Sequence, residues 1–312
     1  MALDPVVMFF IAGFTISLMR VDFKLPSEIY EFLSVMLLIT IGMKGGIELS
    51  KQDIGVLIGD VGLMLVMGVV IPLVAYPILY FMGRFNRADA SSIAAHYGSV
   101  SVGTYAVGVA FLESQSISYE SHIPLYLVVL EIPAIVVGII LAKGITKETN
   151  WSEMARESVM AKSIVLLFVG LFIGWAAGPE IKESLGAFFF DPFKGILALF
   201  LLEMGIVAAG QVGLLKKYGL FLLGFGVVFP VIAAAIGLGF ADIMGLSLGG
   251  SLLLMILAAS ASYIAVPAAI RVAVPEANPG LSLTASLGIT FPFNVIFGIP
   301  LYFKMAQMYL GV

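Results

Sequence analysis

Ten long stretches of this chain carry few or no charges, and each approaches or exceeds the roughly 17–25 residues that a helix needs to cross a bilayer. They run over Pro5–Met19, Glu28–Gly46, Ile54–Gly83, Ser91–Leu112, His122–Ala142, Val159–Gly178, Pro192–Val212, Tyr218–Phe240, Ser247–Ile270 and Leu281–Met308. The first is the shortest. It has no basic segment before it and no small-residue cleavage site after it, so it reads as a span rather than a signal peptide. Prolines recur within the spans, where neighbouring membrane helices can satisfy the carbonyls they free.

Composition agrees. Hydrophobic residues make up 61% and charged residues 12%, with a mean hydropathy of +1.10; soluble domains run nearer about 45–50% and 25%. The 34 glycines suit close helix contacts in lipid. There is no cysteine, hence no disulfide, thiol nucleophile or Cys-ligated metal. The net charge of −4 says little, because the placement of the charges matters more, and no run of basic residues suggests nucleic acid as a partner.

The basic residues set the orientation. With the N-terminus outside, the inner loops and adjoining span ends hold Arg20, Lys24, Arg84, Arg87, Lys143, Lys147, Arg156, Lys162, Lys216, Lys217 and Arg271. Only Lys44, Lys51, Lys182, Lys194 and Lys304 then lie outside. The positive-inside rule favours this arrangement, with both termini on the outer side of a plasma (inner) membrane.

The two halves resemble each other at an offset near 160 residues. Ser99-x-Ser101 in span four matches Ser260-x-Ser262 in span nine; Glu131-Ile-Pro133 matches Thr290-Phe-Pro292; Ile41-Gly42 matches Met204-Gly205. Five spans per half is odd, so the second half enters the membrane inverted. The expected fold is all-α and polytopic: ten transmembrane helices as 5+5 inverted repeats, with two broken helices crossing at the midplane. Residues 1–145 form the first repeat, 146–158 a short cytoplasmic connection and 159–312 the second repeat.

Spans four and nine replace large apolar residues with Ser, Thr, Gly and Tyr at mid-span. Half-helix N-termini there would attract an anion, and carbonyls with hydroxyls would suit sodium. The competing reading is that the small residues only permit close packing. Three ionisable residues lie within apolar spans: Glu131, Glu203 and Lys44. Burying such a charge costs at least ~2.5–3.5 kcal/mol. The glutamates read as coupling-ion ligands or as structural bridges. Lys44 reads as an anion counter-charge or as a side chain snorkelling to the interface. Thr290 and Asn294 are weaker candidates for sodium, as is Gln211. His96 and His122 fall near span ends and read as interfacial. No HExxH motif, Cys/His cluster, DxxxD motif or mid-membrane aspartate pair supports an enzyme.

Four segments carry a family resemblance: "IGMKGGIEL", "YGSVSVGTYAVGVAFLE", "LEIPAIVVGI" and the long "ASASYIAVPAAIRVAVPEANPGLSLTASLGITFPFNVIFGIPLY". Through them the chain resembles the cyanobacterial sodium-dependent bicarbonate permeases and their bacterial relatives. The resemblance implies a homotrimer, separate core and gate regions, and symport of bicarbonate with sodium. It points to Ser99, Ser101, Thr104, Tyr105, Ser260, Ser262 and Tyr263 as site residues. Cyanobacterial members also have a PII-like regulator and a larger central cytoplasmic region; here only residues 143–158 separate spans five and six. The expected function is sodium-coupled symport of a small inorganic anion, most readily bicarbonate, by alternating access, with Na+ as the coupling ion and no cofactor. The alternatives are a carrier of a small organic anion, a membrane enzyme and a non-transporting sensor.

Overall fold

In a computed structural model, residues 5–21, 23, 25–50, 54–120, 122–144, 160 and 162–312 are described, and all regular structure among them is helical. The connection over 146–158 lies outside the described residues, as do Lys24, Lys51, Lys147 and Arg156 of the charge argument. The first half runs α1 (Pro5–Leu18), α2 (Ser27–Leu49), α3 (Ile54–Pro77, prolonged by a π turn over Ile78–Met82), α4 (Arg87–Gly98), α5 (Val102–Ser114) and α6 (Ile123–Lys143). The second runs α7 (Lys162–Ala177), α8 (Ile181–Phe189), α9 (Phe193–Gly213), α10 (Gly219–Ile243), α11 (Leu248–Ala259), α12 (Ala265–Ala273) and α13 (Pro279–Leu310). Between α9 and α10 the helical run breaks at Gly219, whose φ of 85° suits glycine and few other residues.

Among the described residues, seven helices are long and apolar enough to cross a membrane. The three expected spans missing from that set are the short α1 and the two stretches that fold as broken pairs, α4–α5 and α11–α12. Large apolar side chains point outward along several helices, among them Ile58, Phe81, Phe172, Val228 and Phe297. This is the surface that lipid solvates. The protein is an α-helical membrane protein.

Within α13, the π turns Thr284–Thr290 and Asn294–Gly298 each end two residues before a proline, Pro292 and Pro300. A proline ring crowds the carbonyl four residues back and donates no bond to it, and a wider turn relieves both problems.

Glycine controls the closest packing. Gly42 and Gly46 of α2 abut the α7 backbone at Leu167 and Leu171, and Gly170 and Gly174 of α7 abut α2 at Ile39 and Met43. The same device joins α1 to α9, where Gly13 abuts Leu202 and Gly205 abuts Phe10 and Phe14. A side chain at any of these positions would strike backbone, which cannot move aside as a flexible side chain can. Removing the Cβ lets the helices touch along their backbones. The remaining helices pack in two matching groups: α3 against α4 and α6, and α10 against α11 and α13.

Candidate functional site

Two twelve-residue helices end at the site. Their starts are fixed by matching caps. The Asn86 side chain accepts from the Asp89 N–H at 2.8 Å, and Ser247 Oγ accepts from the Gly250 N–H at 3.3 Å. Helix α4 then runs to Gly98 and α11 to Ala259, every boundary of the second lying 161 positions after the first. Each is followed by a serine in extended backbone: Ser99 (φ −96°, ψ −176°) and Ser260 (φ −84°, ψ 168°). After the break, Ser101 caps α5, its Oγ accepting from the Thr104 N–H at 3.1 Å and from the Thr104 hydroxyl at 2.9 Å. Ser262 Oγ likewise faces the Val266 N–H at 3.4 Å in the first turn of α12.

The breaks are bonded to each other. The Ser101 N–H donates to Ser260 Oγ at 2.9 Å, and Ser260 Oγ donates to the Leu257 carbonyl at 2.9 Å. The Ser262 N–H donates to the His96 carbonyl at 2.8 Å. Two helix C-termini and two helix N-termini therefore converge within one hydrogen-bonded crossing. All four serines are buried, and the Ser99 hydroxyl has no hydrogen-bond partner among the described residues. The Tyr263 hydroxyl lies beside Ser101, outside good hydrogen-bonding geometry, and a Cβ on Gly103 would come within 2.6 Å of it. Gly103 thus lets Tyr263 approach the N-terminus of α5. A cavity of about 20 Å³ adjoins this point, lined by Ser34, Val102, Gly103, Phe200, Tyr263 and others. That is little more than the ~10–15 Å³ one water requires.

Other candidates are placed differently. Asn294 Nδ2 donates to the Ala259 carbonyl at 2.8 Å, at the end of α11, while its Oδ1 accepts from Tyr302 at 2.7 Å. In the first half, Gly98 abuts Ala134, and Gly138 abuts Ala95, so α6 runs antiparallel to α4. Glu131 lies one turn before Ala134 on the same face. It therefore stands level with the break after Gly98, and it is buried. Thr290 bonds the Gly226 carbonyl at 2.7 Å and the Tyr97 hydroxyl at 2.6 Å, tying α13 to α10 and α4. Tyr105 is buried one turn into α5, its hydroxyl without a partner.

Three candidates do not join the crossing. Glu203 accepts the Leu25 N–H at 3.2 Å and so anchors the segment entering α2. Lys44 pairs with Glu113 at 3.0 Å and lies over the Phe193 ring at 4.1 Å. Glu113 closes the far end of α5, about 16 Å along that helix from its N-terminus. Gln211 faces Thr284, its Oε1 accepting from that hydroxyl at 3.4 Å.

His96 differs from the sequence expectation. It is 2% exposed, within the last turn of α4, and its own carbonyl is part of the crossing. The GSVS segment that breaks span four moves this residue from a helix end near the interface to a helix end in the interior. The matched caps Asn86 and Ser247 were also missed, although an Asn or Ser just before a helical run is a readable signal.

This chemistry suits small ions. Helix N-termini and hydroxyls supply donors to an anion; helix C-termini, hydroxyls and a carboxylate supply oxygens to a cation. The Na+-dependent bicarbonate transporter superfamily model matches residues 5–307, nearly the whole chain. No curated protein sequence matches it. That family is one of sodium-dependent bicarbonate transporters and not of enzymes, and the apolar helices of this chain agree with it. On a match of this extent, the chain belongs to the Na+-dependent bicarbonate transporter superfamily.

Proposed function

We propose that this protein is a symporter that moves bicarbonate with sodium by alternating access, and that the crossing of the two broken helices is its transport site. The observation that carries this reading is the pair of hydrogen bonds between the breaks, Ser101 to Ser260 and Ser262 to His96. All ten apolar stretches cross the membrane in this reading, as inverted repeats over 1–145 and 159–312. The identical lengths and caps of α4 and α11 support the repeat. So does the packing, in which α1 meets α9 and α7 meets α2, a relation that survives exchange of the halves.

The α5 and α12 N-termini, with Ser99, Ser101, Thr104, Ser262 and Tyr263, receive the anion. Sodium takes the side where Glu131 stands level with the end of α4. A carboxylate beside helix C-terminal carbonyls is repelled by their partial negative charge. A sodium ion between them converts that repulsion into ligation. The family match favours bicarbonate over a larger organic anion. Glu203, Thr290 and Asn294 hold the frame through their hydrogen bonds, and Lys44 belongs to the rim near Glu113.

Purified protein in proteoliposomes is expected to take up labelled bicarbonate when an inward sodium gradient is imposed. Uptake that is equal in sodium-free buffer under a proton gradient would reject sodium coupling. The same reading puts both termini outside a plasma membrane. A C-terminal tag is therefore expected to react with an impermeant reagent in intact cells, and a tag reached only after lysis would reverse the orientation.

A further inference from the structure

Beyond the crossing, on the side toward the start of α4, lies a separate cavity of about 300 Å³ between α4, α12 and the turn leading into α13. It is lined by His96, Ser92, Arg271, Pro267, Val274 and Pro279, among others. Arg271 is exposed and makes no ion pair among the described residues. His96 is 98% buried, and its Nε2 has no hydrogen-bond partner among the described residues. Its Nδ1 lies 2.7 Å from the Ser92 carbonyl. A carbonyl only accepts, so Nδ1 carries the proton, and in the neutral ring Nε2 is left as an acceptor. Two carboxylates stand near the cavity without lining it: Glu276 is exposed between the lining residues Pro275 and Ala277, and Asp89 is occupied elsewhere. It takes the Asn278 N–H at 2.7 Å and the Asn86 side-chain amide at 2.7 Å, and it does not line the cavity.

The cavity thus offers a cationic fork and a buried lone pair. The complementary ligand carries negative oxygen for Arg271 and a hydroxyl hydrogen for His96 Nε2. We infer that this cavity is a second binding site for a protonated oxyanion, a waiting position on the Arg271 side of the crossing. His96 belongs to both places: its carbonyl accepts from Ser262 in the crossing, and its ring faces the cavity. Its identification as a site for transported bicarbonate rests on the proposed function; its chemistry does not. An oxyanion with no hydrogen, such as nitrate, would satisfy the arginine and leave the histidine lone pair unmet. The site therefore selects bicarbonate over nitrate without any contact to the crossing serines.

Saturation-transfer NMR on the purified full chain with 13C-bicarbonate tests this, with and without sodium. In sodium-free buffer the wild type is expected to bind bicarbonate, with nitrate competing at least tenfold more weakly. His96→Leu and Arg271→Gln are each expected to weaken this binding tenfold or more, while Ser99→Ala leaves it within twofold. Arg271 is exposed, so its variant informs even where His96→Leu fails to fold. Sodium-dependent binding should persist in Arg271→Gln and fall in Ser99→Ala. Absence of sodium-free binding in the wild type overturns the second site, as does indifference to Arg271→Gln or equal competition by nitrate. Loss of only the sodium-dependent component in the wild type would instead count against the proposed transport site and leave this one standing.

Discussion

Glu131→Gln is expected to lower apparent sodium affinity about tenfold to a hundredfold while the protein inserts and folds normally, because bonds to a charged group are worth ~1.5–3 kcal/mol. Glutamine keeps the shape and one acceptor oxygen but not the charge. Burying that charge costs at least ~2.5–3.5 kcal/mol within a bilayer, so its removal should not weaken the fold. A buried glutamate beside the end of α4 is a burden unless a cation offsets it. Uptake measured across a sodium series separates the roles. A variant with wild-type sodium dependence and rate would make Glu131 structural.

Ser99→Ala and Ser260→Ala are expected to fail in different ways. The Ser99 hydroxyl has no protein partner among the described residues, so its loss costs the fold nothing and costs the ligand one donor. Sodium-dependent bicarbonate affinity should fall about tenfold to a hundredfold, with unchanged thermal stability, if that donor contributes ~1.5–3 kcal/mol to a charged ligand. Ser260 is engaged twice, accepting from the Ser101 N–H and donating to the Leu257 carbonyl. Alanine there leaves a buried N–H unpaired, which costs about 1–3 kcal/mol. Its expected signature is a lowered melting temperature together with weakened transport. Equal behaviour of the two variants in both assays would contradict the distinction.

The helix breaks were legible because their cause is local. Ser99, Ser101, Ser260 and Ser262 compete for nearby backbone groups, and such serines favour caps and turns over helix interiors. Their conjunction was anticipated by matching the two halves at an offset near 160 residues, and the Ser101 N–H does donate to Ser260 Oγ. Glu131 was legible as a buried charge, though not its level beside Gly98, which depends on the close contact of α6 with α4. Lys44 and Glu203 show where local reading ends. Their partners, Glu113 and the Leu25 N–H, lie 69 and 178 residues away in sequence, and no periodicity within one helix reports such a pairing. His96 was misread for a related reason. Its depth is set by the break that follows it, and a span treated as continuous puts it too near the surface.

Coupling is the central claim, and the reciprocal flux tests it most directly. Purified protein is reconstituted with the membrane potential clamped at zero and equal sodium on both sides, and an inward bicarbonate gradient is imposed at matched pH. Symport predicts that 22Na+ accumulates inside against no sodium gradient of its own, and that Glu131→Gln lowers the accumulation at sodium concentrations that do not saturate the variant. Bicarbonate entry with no net movement of 22Na+ would contradict the account.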